Sequence, residues 1–535
     1  MRFVSDPPIT VKIDRMKERI CWQHPLMLQQ QIDQTRLAFE SDPFTPELAD
    51  GSFSFLAFGD SGSGNHRGDN PQRRVAEYLG QHSQDCQFVL HTGDVVYLVG
   101  SSEQYPDNFI KPYREYIAGG ERPDQIAYDQ MVFELPFLPT LGNHDYYDLP
   151  FIYGMLAQLA LPLRRLFNRQ IDIDVGWHGS RKGDAYARAF LDYLQPLNES
   201  QLRQHLDQHY TVQTPTGRCI RYVTGHFTRL PNRYYMFRRQ GIDFFALDTN
   251  TFNAPQPLPS TPAGQRQRQE LKTRREELAQ QKQALLAEAA LPNMPDRDDM
   301  NRSEDATRVD DIYVKIEQIN EQLRDIEKQL TASSTTSTTD FEQLDWLRHR
   351  LVDSWQDPAV RGRVLYFHHP PYVTEATKWD QGQTLAVRSR LREVLDRVKS
   401  EVDEKAQGRA LIDLVLCGHA HCFEHIRTGD TGHGDANIDW LICGGSGFSL
   451  RRQRPEGPKL EESGQVIAES KQFIGRSGQG SNKRRPYSAL RIDVEPGTPP
   501  RFTVRPFVAE QQRRRWSTYE IEPIQLNPSQ ASLSP

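Results

Sequence analysis

Five short stretches of this chain carry side chains that can bind cations: FGDSGSGN (58–65), QFVLHTGDVVY (87–97), LGNHDYY (141–147), LYFHHPPY (365–372) and LCGHAHCFEH (416–425). Each follows an apolar run that reads as a strand, so carboxylate, phenol, amide and imidazole groups collect at strand ends. Gly93 lets the backbone turn after the run 88–90, and Asp94 then projects from the strand's carboxyl end, where it can reach two cations at once. Hydrolysis of a phosphate ester at neutral pH needs a hydroxide held against phosphorus and positive charge on the non-bridging oxygens. Two cations about 3.5–4 Å apart supply both. On this reading Asp94 bridges the pair, Asp60, Tyr97 and His421 complete one cation's set, and Asn143, His368 and His419 complete the other's. His419 and His421 are two residues apart, so a turn or strand end can send one imidazole to each cation. Such mixed nitrogen and oxygen donors, with room for solvent, suit iron, manganese or zinc better than calcium.

A metal-bound hydroxide would be the nucleophile in such a site. His144, directly after the ligand Asn143, is placed to donate a proton to the leaving alkoxide or to stabilise charge on a phosphoryl oxygen, with Asp145 fixing its ring. His369 and His66 are further candidates for substrate contact, whereas Asp248 and His425 read as structural. An isolated histidine is ordinarily a satisfied polar side chain. The case for a metal centre rests on seven candidate ligands converging from five strand ends.

The elements that must position these groups follow from the patterning. From residue 52 strands alternate with helical periodicity: FSFLAFGD, a helix around 73–82, QFVLHTGD, then LPFLPTLGNHD. That alternation predicts βαβ units and an α/β fold. Residues 1–51 read as a polar lead-in with one amphipathic helix, Leu28, Ile32 and Phe39 sharing a face. Residues 52–253 form the first part of the catalytic domain, with an irregular, cap-like insert at 146–239. Within it PFIYGMLAQLALPLRRLF (150–167) is apolar but interrupted by Pro162, Arg164 and Arg165, so no transmembrane span is expected. It predicts a lid over the site, with an interfacial, lipid-touching helix as the alternative.

Residues 254–340 interrupt the domain. The first arm carries Leu271, Leu278 and Leu285 at seven-residue spacing, and the second carries Val309, Ile312, Ile316, Ile319, Leu323, Ile326 and Leu330 at alternating steps of three and four. Pro292 and Pro295 break the helix between them, and TASSTTSTTD returns the chain as a linker. The expectation is an antiparallel coiled-coil hairpin projecting from the globule, either a spacer or, through residues 265–330, a docking arm for a protein partner or a homodimer. Residues 341–520 complete the domain: a helix with Phe341, Leu344, Leu347 and Leu351 inward, the strand VLYFHHPP, an arginine-rich helix at 386–399, and a closing hairpin of YSALRIDV and RFTVRPFV. Residues 521–535 read as a disordered tail.

The 535 residues carry a formal charge of -6, which gives no footprint for nucleic acid, and 37% hydrophobic with 25% charged residues describes a polar, soluble chain. Six scattered cysteines and a first segment without the apolar core of a signal peptide lead to the expectation of a cytoplasmic protein.

These motifs resemble the calcineurin-like metallophosphoesterase superfamily, and the set GDSG, GDVVY, GNHD, HHPP and GHAH resembles its purple acid phosphatase branch. Most members of the superfamily place histidine two residues after the first aspartate, where this chain has Gly62; the branch instead supplies a tyrosine three residues after the bridging aspartate, here Tyr97. The resemblance implies an αββα sandwich with the dinuclear centre at its edge, interrupted here by the helical hairpin. It implies Fe(III) on the tyrosine side with Fe, Zn or Mn(II) as partner, the seven ligands given above, and His144 as the catalytic histidine. His368 is preferred to His369 because the family ligand precedes an x-Pro pair. The implied activity is that of an acid phosphatase-like phosphoric ester hydrolase, a phosphomonoesterase on a small phosphate ester before a phosphodiesterase on lipid or cyclic nucleotide substrates. A reading of another class keeps the fold as a non-catalytic scaffold acting through the hairpin. Two departures from the family pattern stand out: no further histidine lies between Pro370 and Gly418, and the hairpin has no family counterpart.

Overall fold

The apolar runs become strands of two sheets in the computed structural model, which describes residues 6–39, 50–62, 70–97, 99–148, 183–289, 304–333, 338–479, 482–513 and 515–526. In chain order the first nine strands are β1 (Ile32–Phe39), β2 (Phe53–Phe58), β3 (Cys86–His91), β4 (Phe137–Pro139), β5 (Val212–Thr214), β6 (Gly217–Tyr222), β7 (Tyr235–Arg239), β8 (Ile242–Ala246) and β9 (Gly362–Phe367). The others are β10 (Leu414–Cys417), β11 (Phe423–Thr428), β12 (Asp439–Cys443), β13 (Lys459–Glu462), β14 (Gln465–Ile474), β15 (Arg484–Val494), β16 (Phe502–Gln512), β17 (Arg515–Glu520) and β18 (Ile524–Leu526). The helices are α1 (Ile9–Arg19), α2 (Pro25–Gln29), α3 (Pro71–His82), α4 (Asn143–Tyr146), α5 (Asp184–Phe190), α6 (Glu199–His209), α7 (Pro262–Ala289), α8 (Glu304–Thr331), α9 (Phe341–Gln356) and α10 (Gly382–Ala406).

The larger sheet has the order β13-β14-β11-β12-β10-β9-β8-β7-β1-β6-β5, and the smaller β17-β16-β15-β2-β3-β4 with β18 on β16. At the heart of each lies a parallel block, β8-β9-β10-β12 in one and β2-β3-β4 in the other. Their strands β2, β3, β9 and β10 are buried along their whole length, which is why their sequences are continuous apolar runs rather than alternating ones. The sheets meet face to face through aromatic rings: Phe55 and Phe88 lie 5.6 and 5.2 Å from Phe244, and Phe88 lies 5.5 Å from Phe237. Outside the larger sheet, α9 and α10 bury Leu344, Leu347, Leu351, Val387, Leu391 and Leu395 against it. Outside the smaller, α3 presents Val75, Ala76 and Leu79 to β15 and β16. Its start is set by Asn70, whose side chain accepts from the Gln72 and Arg73 amides ahead of a proline at the first turn. The layers are therefore αββα, in a mixed α/β fold, and no described helix is long and apolar enough to cross a membrane.

Several expectations are corrected. Ile32 and Phe39 belong to β1, which pairs with β6 and β7 in the larger sheet, while Leu28 is 64% exposed; the segment before it forms two helices rather than one. Sheet pairing satisfies the β1 backbone on both sides, and a spacing of four and seven residues cannot distinguish that from a helix face. Phe341 is 62% exposed although Leu344, Leu347 and Leu351 face inward. The lid expected at 150–167 lies outside the described residues; the described remainder of that insert adds β5 and β6 to the larger sheet beside β1. At the far end Ile524–Leu526 pairs with β16, where a disordered tail was expected.

The two long helices pack on each other through Leu271, Leu278 and Leu285 of α7 and Ile319, Leu323, Ile326 and Leu330 of α8. Arg268 donates to the Leu330 carbonyl at 3.1 Å and Arg275 pairs with Glu327 at 3.1 Å, so the helices run in opposite directions. The expected projection into solvent is corrected, because α8 turns a charged stripe onto the globule. Asp325 accepts the Gly382 and Gln383 amides at 3.0 and 3.4 Å, placing a carboxylate on the positive N-terminus of α10. Glu321 pairs with Lys378 at 3.2 Å and Lys328 with Asp6 at 2.6 Å.

Candidate metal centre

Both parallel blocks end on the same edge of the sandwich. Asp60 follows β2, Asp94 and Tyr97 follow β3, and Asn143 opens α4 after β4, all from the smaller sheet. From the larger sheet come His368 after β9 and His419 and His421 after β10. The turns that deliver them are tight: Asp60, Asp94 and His419 hold φ of 51°, 53° and 65°, a left-handed conformation that L-residues rarely adopt outside constrained sites. Gly142 leaves space for Asp94, since a Cβ there would lie 2.1 Å from Asp94 Oδ1. Gly142→Ala is therefore expected to displace the Asp94 turn, cost about 1–3 kcal/mol in urea unfolding and reduce bound metal; a variant with wild-type stability and metal content would contradict that role.

Two clusters of ligand atoms share Asp94. Around the Tyr97 hydroxyl oxygen stand Asp94 Oδ2 at 2.8 Å, Asp60 Oδ1 at 2.9 Å and His421 Nε2 at 3.2 Å. Around His368 Nε2 stand Asn143 Oδ1 at 3.0 Å, His419 Nδ1 at 3.2 Å and Asp94 Oδ2 at 3.4 Å. The donor set fits cations. His368 Nδ1 lies 2.9 Å from the Thr92 carbonyl and His421 Nδ1 3.0 Å from the Ser449 carbonyl; a carbonyl only accepts, so each Nδ1 carries a proton, which leaves Nε2 as the nitrogen that a cation would take. One phenolic proton likewise cannot satisfy both carboxylates beside Tyr97. The candidate ligand atoms of Asp60, Asp94 and His368, and those of His368, His369 and His419, lie within 4.8 Å of one another.

The protonation equilibria carry the same tension. Burial by itself would lower the His368 pKa, but the Asp94 and Asp60 carboxylates outweigh it and raise it to about 9. Against its own burial, Asp94 is held well below the usual carboxylate range by His368 and His144. Burial, then Asp60 and Asp94, push the Tyr97 phenol well above its ordinary value, so its ionisation calls for a cation.

The His144 ring stands 4.3 Å from that of Tyr97 and 4.7 Å from that of Tyr147, at a cavity it lines with Asp94, Asn143, His419 and His421. Its backbone N–H donates to Asp94 Oδ1 at 2.8 Å. Asp145 works on the backbone, in place of the expected contact with the His144 ring: its carboxylate accepts the amides of Gly142, Asp94 and Val95 at 2.8, 3.0 and 3.1 Å. The expected substrate contact of His369 is also corrected. Its ring is buried with Nδ1 2.8 Å from the Thr249 hydroxyl and Nε2 3.2 Å from the Asn253 amide, so it supports the site from behind. His66 lies outside the described residues. Asp248 meets the Tyr146 hydroxyl and Arg233, and His425 meets Asp439, in ion-pair and hydrogen-bond roles.

Sequence reasoning missed three supporting residues and a wall. His91, three residues before Asp94, has Nε2 2.8 Å from the Ser61 hydroxyl and accepts the Gly93 amide, and burial lowers its pKa to about 3. Phe448 stacks on Tyr97 at 4.0 Å, and the Gln383 side-chain amide lies 2.8 Å from His419 Nε2. The wall is α8, whose Glu321, Arg324, Asp325 and Lys328 close one side of a cavity of about 60 Å³. A spacing of three, four and seven residues was the available signal, and on sequence grounds it is indistinguishable from a solvated helix face.

Glu321 is the central hold of that wall. Burial would raise its pKa, but Lys378, Arg451, His421 and Arg324 hold it well below the ordinary range. Its stabilising contribution is accordingly present above the unfolded value of about 4.3 and lost as pH falls below it. Glu321→Gln leaves Lys378 and the fully buried Arg451 short of their carboxylate, a change expected to cost about 3 kcal/mol and to expose residues 262–331 to proteolysis at neutral pH. Unchanged cleavage kinetics would exclude this hold.

No family model matches the sequence. Over 128 residues, 24% of this chain and 30% of the other protein's length, it is 31% identical to purple acid phosphatase 3 of Arabidopsis thaliana, so the chain spans under a third of that relative. Three of the solved structures to which the chain is similar are the following. GAP50, the anchor in the inner membrane complex of Plasmodium, is 11% identical with a TM-score of 0.36, over 90% of each chain. Purple acid phosphatase PPD1 from yellow lupin (Lupinus luteus) seeds is 10% identical with a TM-score of 0.38, over 91% of this chain and 55% of that one. PhoD is 11% identical with a TM-score of 0.36, over 90% and 72%.

Proposed function

We propose that this chain, purple acid phosphatase-like over its matched residues, is a dinuclear-metal-dependent phosphoesterase of the calcineurin-like type that hydrolyses small phosphomonoesters. The observation that carries the proposal is the pair of imidazoles, His368 and His421, each donating through Nδ1 to a carbonyl and turning Nε2 into a convergence of carboxylate, phenol and amide oxygens. Two cations, one held by Asp60, Tyr97 and His421 and the other by Asn143, His368 and His419, with Asp94 between them, would activate water and neutralise phosphoryl oxygens.

The chain's own residues do the remainder. His144 opens onto the same cavity and donates a proton to the departing alkoxide, which spares the alcohol from leaving as an anion. Asp145 and Gly142 keep the Asp94 turn and the start of α4 in register, and the α8 wall confines the substrate to a small cavity, which favours monoesters over diesters with a second bulky group. The phenol of Tyr97 is a hard ligand once ionised, which assigns Fe(III) to its side and Fe, Zn or Mn(II) to the other.

The test is elemental analysis of protein expressed without chelators, a visible spectrum of the same sample, and hydrolysis of p-nitrophenyl phosphate. Iron at about one equivalent, a second metal, and a tyrosinate absorption band that disappears in Tyr97→Phe are expected. Two divalent metals with turnover but no band would remove Tyr97 from the ligand set. Protein that takes up no metal on reconstitution and cleaves neither p-nitrophenyl phosphate nor its bis ester would leave the scaffold reading in its place.

A further inference from the structure

Helix α8 brings Glu321, Arg324, Asp325 and Lys328 to the site on one face, three, four and seven residues apart. Three of the four are occupied in holding the helix down. Glu321 pairs with Lys378, Asp325 accepts the first amides of α10, and Lys328 pairs with Asp6. Arg324 is occupied differently. Its Nε donates to the Asn320 carbonyl of its own helix at 3.3 Å, and its guanidinium carbon lies 6.0 Å from the Tyr147 ring centre. Among the described residues it makes no ion pair, although it lines the same cavity as Asp94, Asn143, His144, His419 and His421.

A guanidinium has a planar fork of N–H donors that matches two phosphate oxygens, and it stays charged at every working pH. Lys378 and Lys328 also face the cavity, but each already has a carboxylate partner. Arg324 is thus the one of these three cations with no carboxylate in ion-pair contact among the described residues. We infer that Arg324 is the substrate-binding residue contributed by the inserted helical hairpin, and that its guanidinium takes anionic oxygens of a small phosphate ester whose phosphorus lies at the metal centre. The inference rests on the phosphoesterase reading for its substrate. The anion site itself does not, because inorganic phosphate offers the same oxygens. The hairpin then acts as a specificity element of the active site rather than as an arm for a partner.

The experiment uses the full metal-loaded chain and two variants, Arg324→Gln and Arg324→Lys. Inorganic phosphate binding is measured by calorimetry, p-nitrophenyl phosphate hydrolysis by initial rates, and metal content and urea midpoint on the same preparations. Arg324→Gln is expected to raise both the phosphate Kd and the KM about tenfold or more with little change in kcat, and Arg324→Lys to fall between it and wild type. Metal content and midpoint stay at wild-type values, since the side chain is exposed and ligates nothing. A phosphate Kd unchanged in Arg324→Gln overturns the inference whatever the activity, and so does a wild-type protein that binds no phosphate. A wild-type protein that turns over no ester but loses phosphate affinity on Arg324→Gln would retire the phosphoesterase reading and keep the anion site.

Discussion

Asp94→Asn is expected, on the proposed two-metal reading, to lower kcat/KM on p-nitrophenyl phosphate by on the order of 10³-fold and to leave the protein with at most one bound metal. Asp94 is the one carboxylate that both ligand clusters share, with Oδ2 2.8 Å from the Tyr97 hydroxyl and 3.4 Å from His368 Nε2. Asparagine keeps the shape and the oxygen that accepts the His144 amide but removes the negative charge that would hold two cations side by side. Without that charge the repulsion between the cations is uncompensated in a site that is 1% exposed at Asp94, where screening by water is weak. Elemental analysis and initial rates on one preparation check both halves. Two retained metals with wild-type turnover would remove Asp94 from the bridging position.

Asp145→Ala is expected to be the most destabilising change next to the site, by about 3–6 kcal/mol in urea unfolding, with loss of bound metal. The carboxylate is fully buried and accepts three backbone amides, those of Gly142, Asp94 and Val95, which no other described side chain is placed to replace. Each N–H left without an acceptor in the interior costs about 1–3 kcal/mol. Asp145→Asn retains one acceptor oxygen, and an intermediate loss is expected. The pair separates the clamp from chemistry at the substrate: a catalytic Asp145 would lose turnover in both variants with stability intact, whereas a clamp loses stability and metal together, in proportion. Stability of the alanine variant within about 1 kcal/mol of wild type would exclude the clamp.

The parts of the fold legible in the sequence were those set by local pattern. Continuous apolar runs ending in a ligand, preceded by a glycine after β2, β3 and β10, identify β2, β3, β9 and β10, because a strand buried on both faces has no polar side to interrupt it. The seams of α7 and α8 follow from heptad spacing. Where pattern is ambiguous, as in β1, pairing with neighbours far along the chain decides the outcome. His368 and His369 make the same point within one dipeptide. Consecutive residues on extended backbone face opposite ways, so one imidazole enters the centre and the other turns to Thr249 and Asn253. Spacing alone gives no means to tell which is which.

By itself the sequence determined the ligand types, their attachment to strand ends and the chemistry open to them, since these are properties of residues and of short stretches of backbone. Only the tertiary structure decided that two separate sheets meet so that Asp60, Asp94, Tyr97 and Asn143 from one face His368, His419 and His421 from the other. It alone decided that α8 closes the site instead of leaving it. That choice depends on Glu321, Asp325 and Lys328 finding Lys378, the α10 amides and Asp6, partners at least 57 residues away in sequence. Long-range electrostatic partners of this kind leave no periodic trace, because a charged helix face reads the same whether water or another helix covers it.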